Sequence, residues 1–290
     1  MAAKNQRGYG SAASSGIGMP VLIVAVVVAL VAGGLVGHFA FGGSSASATF
    51  SGKTTIAEGD LDKTVGTFTY DGKTETVSAR DAIQSQATLD SVKQDDGTYT
   101  MPSADAVLSV ARNRIVSKVA EEQGVTVSDD DISSYAEQMV GTSDIATIAS
   151  NYNMDEDQAK EIIRQSATMY KLKEKVVSTQ AGTQPTAPTT PEDGNQDTAS
   201  ADYWTYITGL LGDEWDSTNN KWARQDGPYY EALSSETFDG ETATYAQAQK
   251  AYYVAYQQYS SNSTAASTEW SNYLNGILSS AAITLNTLTA

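Results

Sequence analysis

Apolar positions follow a helical period through most of the middle of the chain. The stripe Val107, Ala111, Ile115 and Val119 recurs every four residues, which is typical of an amphipathic helix. Residues 132–140 repeat apolar side chains at i, i+3, i+4, i+7 and i+8, which predicts a second such helix. Similar patterns predict further helices over 145–150, 155–177, 203–211, 241–259 and 268–280.

The ends of the first two helices carry clear signals. Pro102-Ser103 can start the first helix, and Gly124 can end it. Ser128, with Asp131 three residues on, predicts a capping box at the start of the second. Carboxylates are stabilised at helix N-termini, so we interpret the acidic runs 129–131 and 155–157 as caps rather than metal ligands.

Alternating positions indicate a small β element. Residues 65–77 alternate around Asp71-Gly72, a strong hairpin signal. A helix-like stretch follows over 78–89, and residues 282–288 alternate as a final strand. The predicted fold class is mainly α with a small β element.

One long apolar stretch precedes all of this. Residues 19–41 contain no Asp, Glu, Lys or Arg, and at about 1.5 Å per residue a helix of this length crosses a bilayer. Lys4 and Arg7 lie before the stretch, so we predict a cytoplasmic tail (1–18), a single transmembrane helix and an extracytoplasmic bulk. The alternative is a signal peptide that is cleaved after Ala48.

The composition of the remaining chain indicates further boundaries. Residues 42–60, rich in Gly, Ser, Ala and Thr, are predicted to form a flexible stalk. A helical module follows over 61–178, and a Pro/Thr-rich linker over 179–200 holds three of the six prolines. Beyond it we predict a Tyr/Trp-rich helical insert (201–262) and a C-terminal helix and strand (263–290) that return to the module.

Composition excludes several classes of chemistry. The chain of 290 residues has no Cys and one His, His38, so thiol nucleophiles, disulfides and Ser-His-Asp sites are ruled out. A net charge of −17 disfavours binding to nucleic acid. No phosphate-binding loop occurs, and nothing singles out a carboxylate pair for glycoside hydrolysis. We therefore predict no catalytic residue, no cofactor and no metal site.

Residues 103–177 resemble the N-terminal chaperone module of the SurA/PrsA family of extracytoplasmic foldases. The resemblance rests on 114–116 in the first helix, on the Gly-Val turn and Ser-Asp cap within 122–132, and on 152–155 and 163–165 in the next helix pair. Residues 270–288 are similar to the helix and strand that complete this module. The resemblance implies a helical chaperone that binds exported or unfolded polypeptides.

Foldases of this family commonly carry an inserted parvulin prolyl-isomerase domain. Residues 179–262 contain no His and no Gly-Gly-Asp-Leu turn, so we expect a non-enzyme that lacks isomerase activity. Flexible thioethers and aromatic rings suit varied clients. The candidate client-binding residues are Tyr135, Met139, Met154, Met169 and Tyr170, and the alternative for each is core packing.

Two functions follow from these patterns. The first is a membrane-anchored extracytoplasmic chaperone whose partners are unfolded or newly exported polypeptides. The alternative is a non-catalytic envelope scaffold or adhesion protein that binds wall glycan or a partner protein through the aromatic insert. The first predicts an exposed apolar patch on the module, and the second predicts exposed aromatic side chains on 201–262.

Overall fold

The computed structural model describes Phe50 and residues 52–286, where the chain is mainly α-helical with a few small sheets. These residues divide into two compact units. Unit 1 contains the described residues up to Val176 and those from Ser271 onward, and unit 2 is Val177–Trp270. Unit 1 is therefore built from two separate stretches of sequence.

The described chain contains short strands and helices of 4 to 34 residues. Its α-helices are α1 (Ala79–Gln84), α2 (Leu89–Val92), α3 (Ala104–Glu122), α4 (Asp129–Val140), α5 (Ile145–Asn151), α6 (Glu156–Val176), α7 (Ala201–Leu211), α8 (Pro228–Leu233) and α9 (Tyr245–Leu278). Its strands are β1 (Thr55–Ile56), β2 (Thr64–Tyr70), β3 (Lys73–Ser78), β4 (Tyr99–Thr100), β5 (Ala199–Ser200), β6 (Trp215–Asp216), β7 (Lys221–Trp222), β8 (Ala243–Thr244) and β9 (Ala282–Leu285). The helices predicted within 103–177 are confirmed, whereas the helix-like stretch over 78–89 forms α1 and the start of α2.

A three-stranded antiparallel sheet belongs to unit 1. The predicted hairpin is confirmed, with β2 and β3 joined by Asp71 (φ 48°) and Gly72 (φ 68°). Positive φ at both turn residues matches the twist of the flanking strands. Strand β9 pairs along the other edge of β2, with Thr67 opposite Thr284, so the sheet order is β3-β2-β9.

The apolar stripe of α3 lies in the core of unit 1, as its spacing predicts. Val107, Ala111, Ile115 and Val119 are all buried. A Cβ atom at Gly66 of β2 would come within 2.5 Å of the Val107 Cγ1 atom. The missing side chain at Gly66 therefore allows α3 to approach the sheet closely.

The start of α4 is held by the predicted capping box. The Ser128 Oγ atom accepts a hydrogen bond from the backbone N–H of Asp131 (3.2 Å), and Asp131 Oδ2 accepts one from the backbone N–H of Ser128 (2.8 Å). Lys171 of α6 lies 2.7 Å from the same carboxylate. Hydrogen bonds from Lys171 and then from Ser128 lower the pKa of Asp131 to about 2. The carboxylate thus joins the cap of α4 to α6.

Unit 2 has an aromatic core. Trp204 packs against Trp215 with ring centroids 5.4 Å apart, and Trp215 packs against Trp222 at 5.3 Å. Both contacts are edge-to-face, a favourable arrangement for aromatic pairs. Ile207 and Leu211 of α7 are buried in the same cluster.

One carboxylate is buried in unit 2 at the start of α8. Glu214 is 2% exposed, and its oxygens accept hydrogen bonds from the backbone N–H groups of Tyr230 (2.8 Å) and Tyr229 (3.4 Å). Gly227 occupies the N-cap position and has no side chain to serve the helix. Glu214 therefore supplies the cap from a distant part of the sequence.

The prediction of two helices over 241–259 and 268–280 is wrong, because α9 runs without a break from Tyr245 to Leu278. The expected break was the run rich in Ser, Asn and Thr around residue 264, whose helix propensity is low. In the structure, Thr264 and Thr268 donate hydrogen bonds to carbonyl groups four residues earlier, at 2.8 and 2.9 Å. Buried side chains on both sides of the run, Val254 and Trp270, keep the helix continuous.

Residues 179–200 contain no helix and no strand before Ala199. Their backbone nevertheless makes specific contacts within unit 2. The hydroxyl groups of Tyr206 and Tyr203 on α7 donate hydrogen bonds to the carbonyl oxygens of Thr186 (2.6 Å) and Thr189 (2.7 Å). The segment is therefore tied to α7, unlike the flexible coil that its composition indicates.

The predicted transmembrane helix (19–41), its cytoplasmic tail and residues 42–49 and 51 of the predicted stalk lie outside the described residues. The described part of the stalk is packed, unlike the flexible segment that its composition indicates, because Phe50 and Ile56 are each 2% exposed and β1 pairs with β4. Within residues 52–286, the structure has no helix that combines the length and apolar character needed to cross a bilayer.

Candidate polypeptide-binding surfaces

Three of the candidate client-binding residues form one surface on unit 1. Tyr135 and Met139 lie one turn apart on α4, and the rings of Tyr135 and Tyr170 on α6 are 5.8 Å apart between centroids. Met139 is 43% exposed and Tyr170 is 38% exposed, whereas Tyr135 is half-buried. We call Tyr135, Met139 and Tyr170 the apolar patch.

The patch lies at the edge of a small core. Ile132 and Ala136 of α4 are buried with Ile148 and Ile163, and the neighbouring positions of α4 are left at the rim. Burial raises the pKa of Tyr135, and a hydrogen bond with Glu174 raises the pKa of Tyr170. Both phenols are therefore neutral at physiological pH and add no charge to the patch.

Two other candidates lie elsewhere. Met169 is 7% exposed and packs inside unit 1, so the core-packing alternative describes it in this structure. Met154 is half-buried in the turn before α6, separated from Tyr170 by about 20 Å of helix. The structure therefore does not bring Met154 or Met169 into the apolar patch.

A second surface of unit 1, a concave groove, was not predicted from the sequence. A groove of about 1320 Å³ lies among β3, α1, α3 and α6. It is lined by Lys73, Glu75, Asp81, Gln84, Ser85, Ser109, Val110, Asn113, Arg114, Ser117, Lys118, Glu121, Asp155, Glu156, Asp157, Gln158, Glu161, Ile162 and Gln165. Most of these side chains are polar, so no hydrophobic pattern marks the groove in the sequence.

Hydrogen bonds between side chains hold the sides of this groove together. Asn113 Nδ2 of α3 donates to Gln165 Oε1 of α6 at 3.2 Å. Arg114 bridges the Asp81 carboxylate (2.9 Å) and the Thr76 carbonyl oxygen (2.9 Å). Partial burial acts to raise the pKa of Asp81, but hydrogen bonds from Ser78 and the charge of Arg114 hold it below its ordinary value.

Exposed aromatic side chains also occur on unit 2. On α9, Tyr252 contacts Tyr253 and Tyr256 with ring centroids 5.6 and 5.9 Å apart, and Tyr256 lies 6.5 Å from Tyr259. Tyr253 is 59% exposed and Tyr256 is 41% exposed. No charged residue occurs between Lys250 and Glu269, so this face of α9 is aromatic and uncharged.

The shifted pKa values of the described carboxyl groups all change in one direction. Every carboxyl group with a shifted pKa in residues 52–286 has it lowered, as in Asp81 and Asp131. A general acid in a glycosidase requires the opposite shift. Among these residues no group of three or more acidic side chains is placed to hold a metal ion. Asp129 instead pairs with Lys160 at 3.1 Å.

Comparison with known proteins corrects the family prediction. Residues 101–183 match the family model described as the C-terminus of bacterial trigger factor protein, and no curated protein and no solved structure matches the chain. The assignment to the SurA/PrsA family is therefore wrong, because trigger factor is a different chaperone family. The residues behind that assignment, including the Gly124 turn and the Ser128 cap, are general helix-end signals.

The matched segment contains α3 to α6, and with them the whole apolar patch and the part of the groove that α3 and α6 form. The other two elements of the groove, β3 and α1, precede the segment. The match covers less than a third of the chain. The trigger factor C-terminus is a chaperone module and not a catalytic parvulin domain. The chain is thus similar to the trigger factor C-terminus over residues 101–183, and this similarity supports a chaperone-like, polypeptide-binding role.

Proposed function

We propose that this protein is a chaperone without prolyl isomerase activity, which binds unfolded or newly exported polypeptides through the apolar patch of unit 1. The observation that carries the proposal is the position of the patch. Tyr135, Met139 and Tyr170 lie within the segment that matches the trigger factor C-terminus. Met139 and Tyr170 are also partly exposed there.

The size of the patch supports weak and reversible binding. A Tyr side chain that is about 40% exposed has roughly 60–100 Å² left to bury, worth about 2 kcal/mol at 25 cal/mol per Å². A gain of this size from each exposed side chain favours transient contact with many clients. The unbranched thioether of Met139 suits clients of different shape.

The test measures aggregation of a chemically unfolded client in the presence of the full-length protein, kept in a neutral detergent because residues 19–41 are apolar. The wild type should suppress aggregation, and the variant Met139→Ser/Tyr170→Ser should require several-fold more protein for the same effect. The matched control is Tyr253→Ser/Tyr256→Ser, which removes two exposed side chains from unit 2. Thermal unfolding verifies that both variants fold.

Equal activity of the wild type and the Met139→Ser/Tyr170→Ser variant would contradict client binding by the patch. No suppression by the wild type would contradict the chaperone function itself. A prolyl-isomerisation assay on the same samples tests the absence of that activity.

A second candidate function is binding of wall glycan or a partner protein by unit 2. The exposed rings of Tyr253 and Tyr256 are the observation that favours it, although the family match lies in another part of the chain. Aromatic ring faces beside amide and hydroxyl groups can bind sugars or peptides. Loss of binding to isolated wall glycan in Tyr253→Ser/Tyr256→Ser would support this candidate.

The location outside the membrane is proposed from the sequence alone. Residues 19–41 would anchor the chain, with Lys4 and Arg7 in the cytoplasm and unit 1 and unit 2 outside. A protease added to intact cells should then degrade both units. Complete protection would contradict this orientation.

A further inference from the structure

The groove of unit 1 has a size and a polar lining that suit the main chain of an extended polypeptide. Its volume of about 1320 Å³ exceeds the roughly 300–1,000 Å³ of ordinary small-molecule sites. Only two lining side chains, Val110 and Ile162, are aliphatic, whereas Ser, Asn and Gln line several positions. Such groups can hydrogen-bond the N–H and C=O groups of an extended segment, which have no partners before folding.

The charges on the groove favour one type of segment. Seven carboxylates and three basic side chains line it. Two of the basic groups already have acidic neighbours, because Arg114 pairs with Asp81 at 2.9 Å and Lys118 lies 3.9 Å from Glu122. Five exposed carboxylates have no ion-pair partner among the described residues: Glu75, Glu121, Asp155, Glu156 and Asp157.

Helix stability accounts for only part of this charge. Asp155, Glu156 and Asp157 lie at the start of α6, where the helix dipole favours carboxylates. Glu121 lies in the last turn of α3, where the dipole disfavours one, and Glu75 belongs to β3. Acidic side chains from three elements therefore converge on one groove without a common local cause.

We propose that the groove binds extended polypeptide segments rich in Lys and Arg. This inference rests on the proposed function and specifies which segments of a client are held there. The client's cationic side chains pair with the unpaired carboxylates, while its main chain contacts the polar floor formed by Asn113 and Gln165. Apolar segments of the same client contact the apolar patch.

The test compares three fluorescent peptides of one unfolded sequence. One carries Lys and Arg, the second has Ser at those positions, and the third has Glu. At low salt the basic peptide should bind the full-length protein about threefold to tenfold more tightly than the Ser peptide. The ratio should approach one at about 1 M salt, where the Debye length is about 3 Å.

Matched variants locate the effect. Asp155→Asn/Glu156→Gln/Asp157→Asn should lower the ratio by about threefold or more. The control Asp202→Asn/Glu231→Gln/Glu241→Gln removes the same charge from exposed positions of unit 2 and should leave the ratio unchanged.

Equal binding of the basic and Ser peptides at low salt would overturn the groove proposal, and so would an equal effect of both triple variants. Suppression of aggregation with no preference for basic peptides would refute the groove proposal and leave the chaperone function standing. A preference for basic peptides without suppression of aggregation would refute the chaperone function instead.

Discussion

A substitution at Gly227 should destabilise unit 2 in the wild type and stabilise it once Glu214 is removed. Gly227 has φ −98° and ψ 161°, which any residue adopts, so its backbone does not require glycine. A Cβ atom there would nevertheless clash with Cδ and with both carboxylate oxygens of Glu214. The constraint on this position is the carboxylate alone.

The magnitudes follow from the contacts. Gly227→Ser in the wild type should displace the carboxylate from the backbone N–H groups of Tyr229 and Tyr230, and hydrogen bonds to a charged group contribute about 1.5–3 kcal/mol. Replacing a flexible glycine also stabilises the folded state by about 0.4–1 kcal/mol, because the unfolded chain has less conformational entropy. We expect a net loss of roughly 1–2 kcal/mol in the free energy of unfolding.

The sign should reverse in the Glu214→Ala background. The space is then free, and a Ser hydroxyl at the N-cap accepts a hydrogen bond from the second or third N–H of the helix. Adding Gly227→Ser to Glu214→Ala should therefore raise the free energy of unfolding by about 1 kcal/mol. Gly227→Ala is the control, because it has the same Cβ atom without the capping oxygen.

Urea unfolding followed by tryptophan fluorescence provides the measurement. All four Trp residues of the chain lie in unit 2, so the signal reports the unit that contains the cap. If Gly227→Ser has the same effect with and without Glu214, the carboxylate is not the cap of α8 and the reasoning fails.

Three further changes test other contacts. Asp131→Asn should remove stability that is present above about pH 4 and is lost as the pH falls toward 2. The reason is that folding lowers the pKa of Asp131 from 3.8 to about 2. The melting temperatures of variant and wild type, measured against pH, should therefore converge near pH 2. Gly66→Ala should lower the free energy of unfolding by about 1–3 kcal/mol, because the new methyl group overpacks the core. Adding Val107→Ala should restore part of this loss, as measured by urea unfolding followed by circular dichroism. Tyr206→Phe loses the hydrogen bond to Thr186 and should speed proteolysis within 179–200 severalfold, whereas an unchanged rate would show that this contact does not hold the segment.

Local signals in the sequence predicted local structure well. The spacing of Val107 and Ala111, the Asp71-Gly72 turn and the Ser128 cap each depend on neighbouring residues, and each is confirmed. The continuity of α9 was not predicted, because the low helix propensity of the Ser, Asn and Thr residues around residue 264 indicated a break. The buried side chains on both sides of this run outweigh that propensity. Burial of that kind depends on tertiary packing, which overrides propensity.

Surfaces assembled from distant elements were harder to predict. Two amphipathic helices indicate that Tyr135 and Tyr170 can pair. The exposure of Tyr170 and the burial of its neighbour Met169, however, depend on how α6 is rotated against the helices that pack on it. The groove requires β3, α1, α3 and α6 together, and its lining has no motif. The family error has the same origin, because helix-end signals report where helices stop and not which fold contains them.

The pairing of β2 with β9 has a consequence for the order in which the protein can fold during synthesis. Thr67 cannot pair with Thr284 until Thr284 has been synthesised. A ribosome reaches Thr284 roughly 10–40 seconds after Thr67 at 5–20 residues per second. Throughout that interval one edge of β2 has unpaired backbone groups and is open to pairing with another chain. A protein that is proposed to shield other unfinished polypeptides therefore passes through a vulnerable stage of its own. Translation rate and early capture of β2 should accordingly influence how much correctly folded protein is produced.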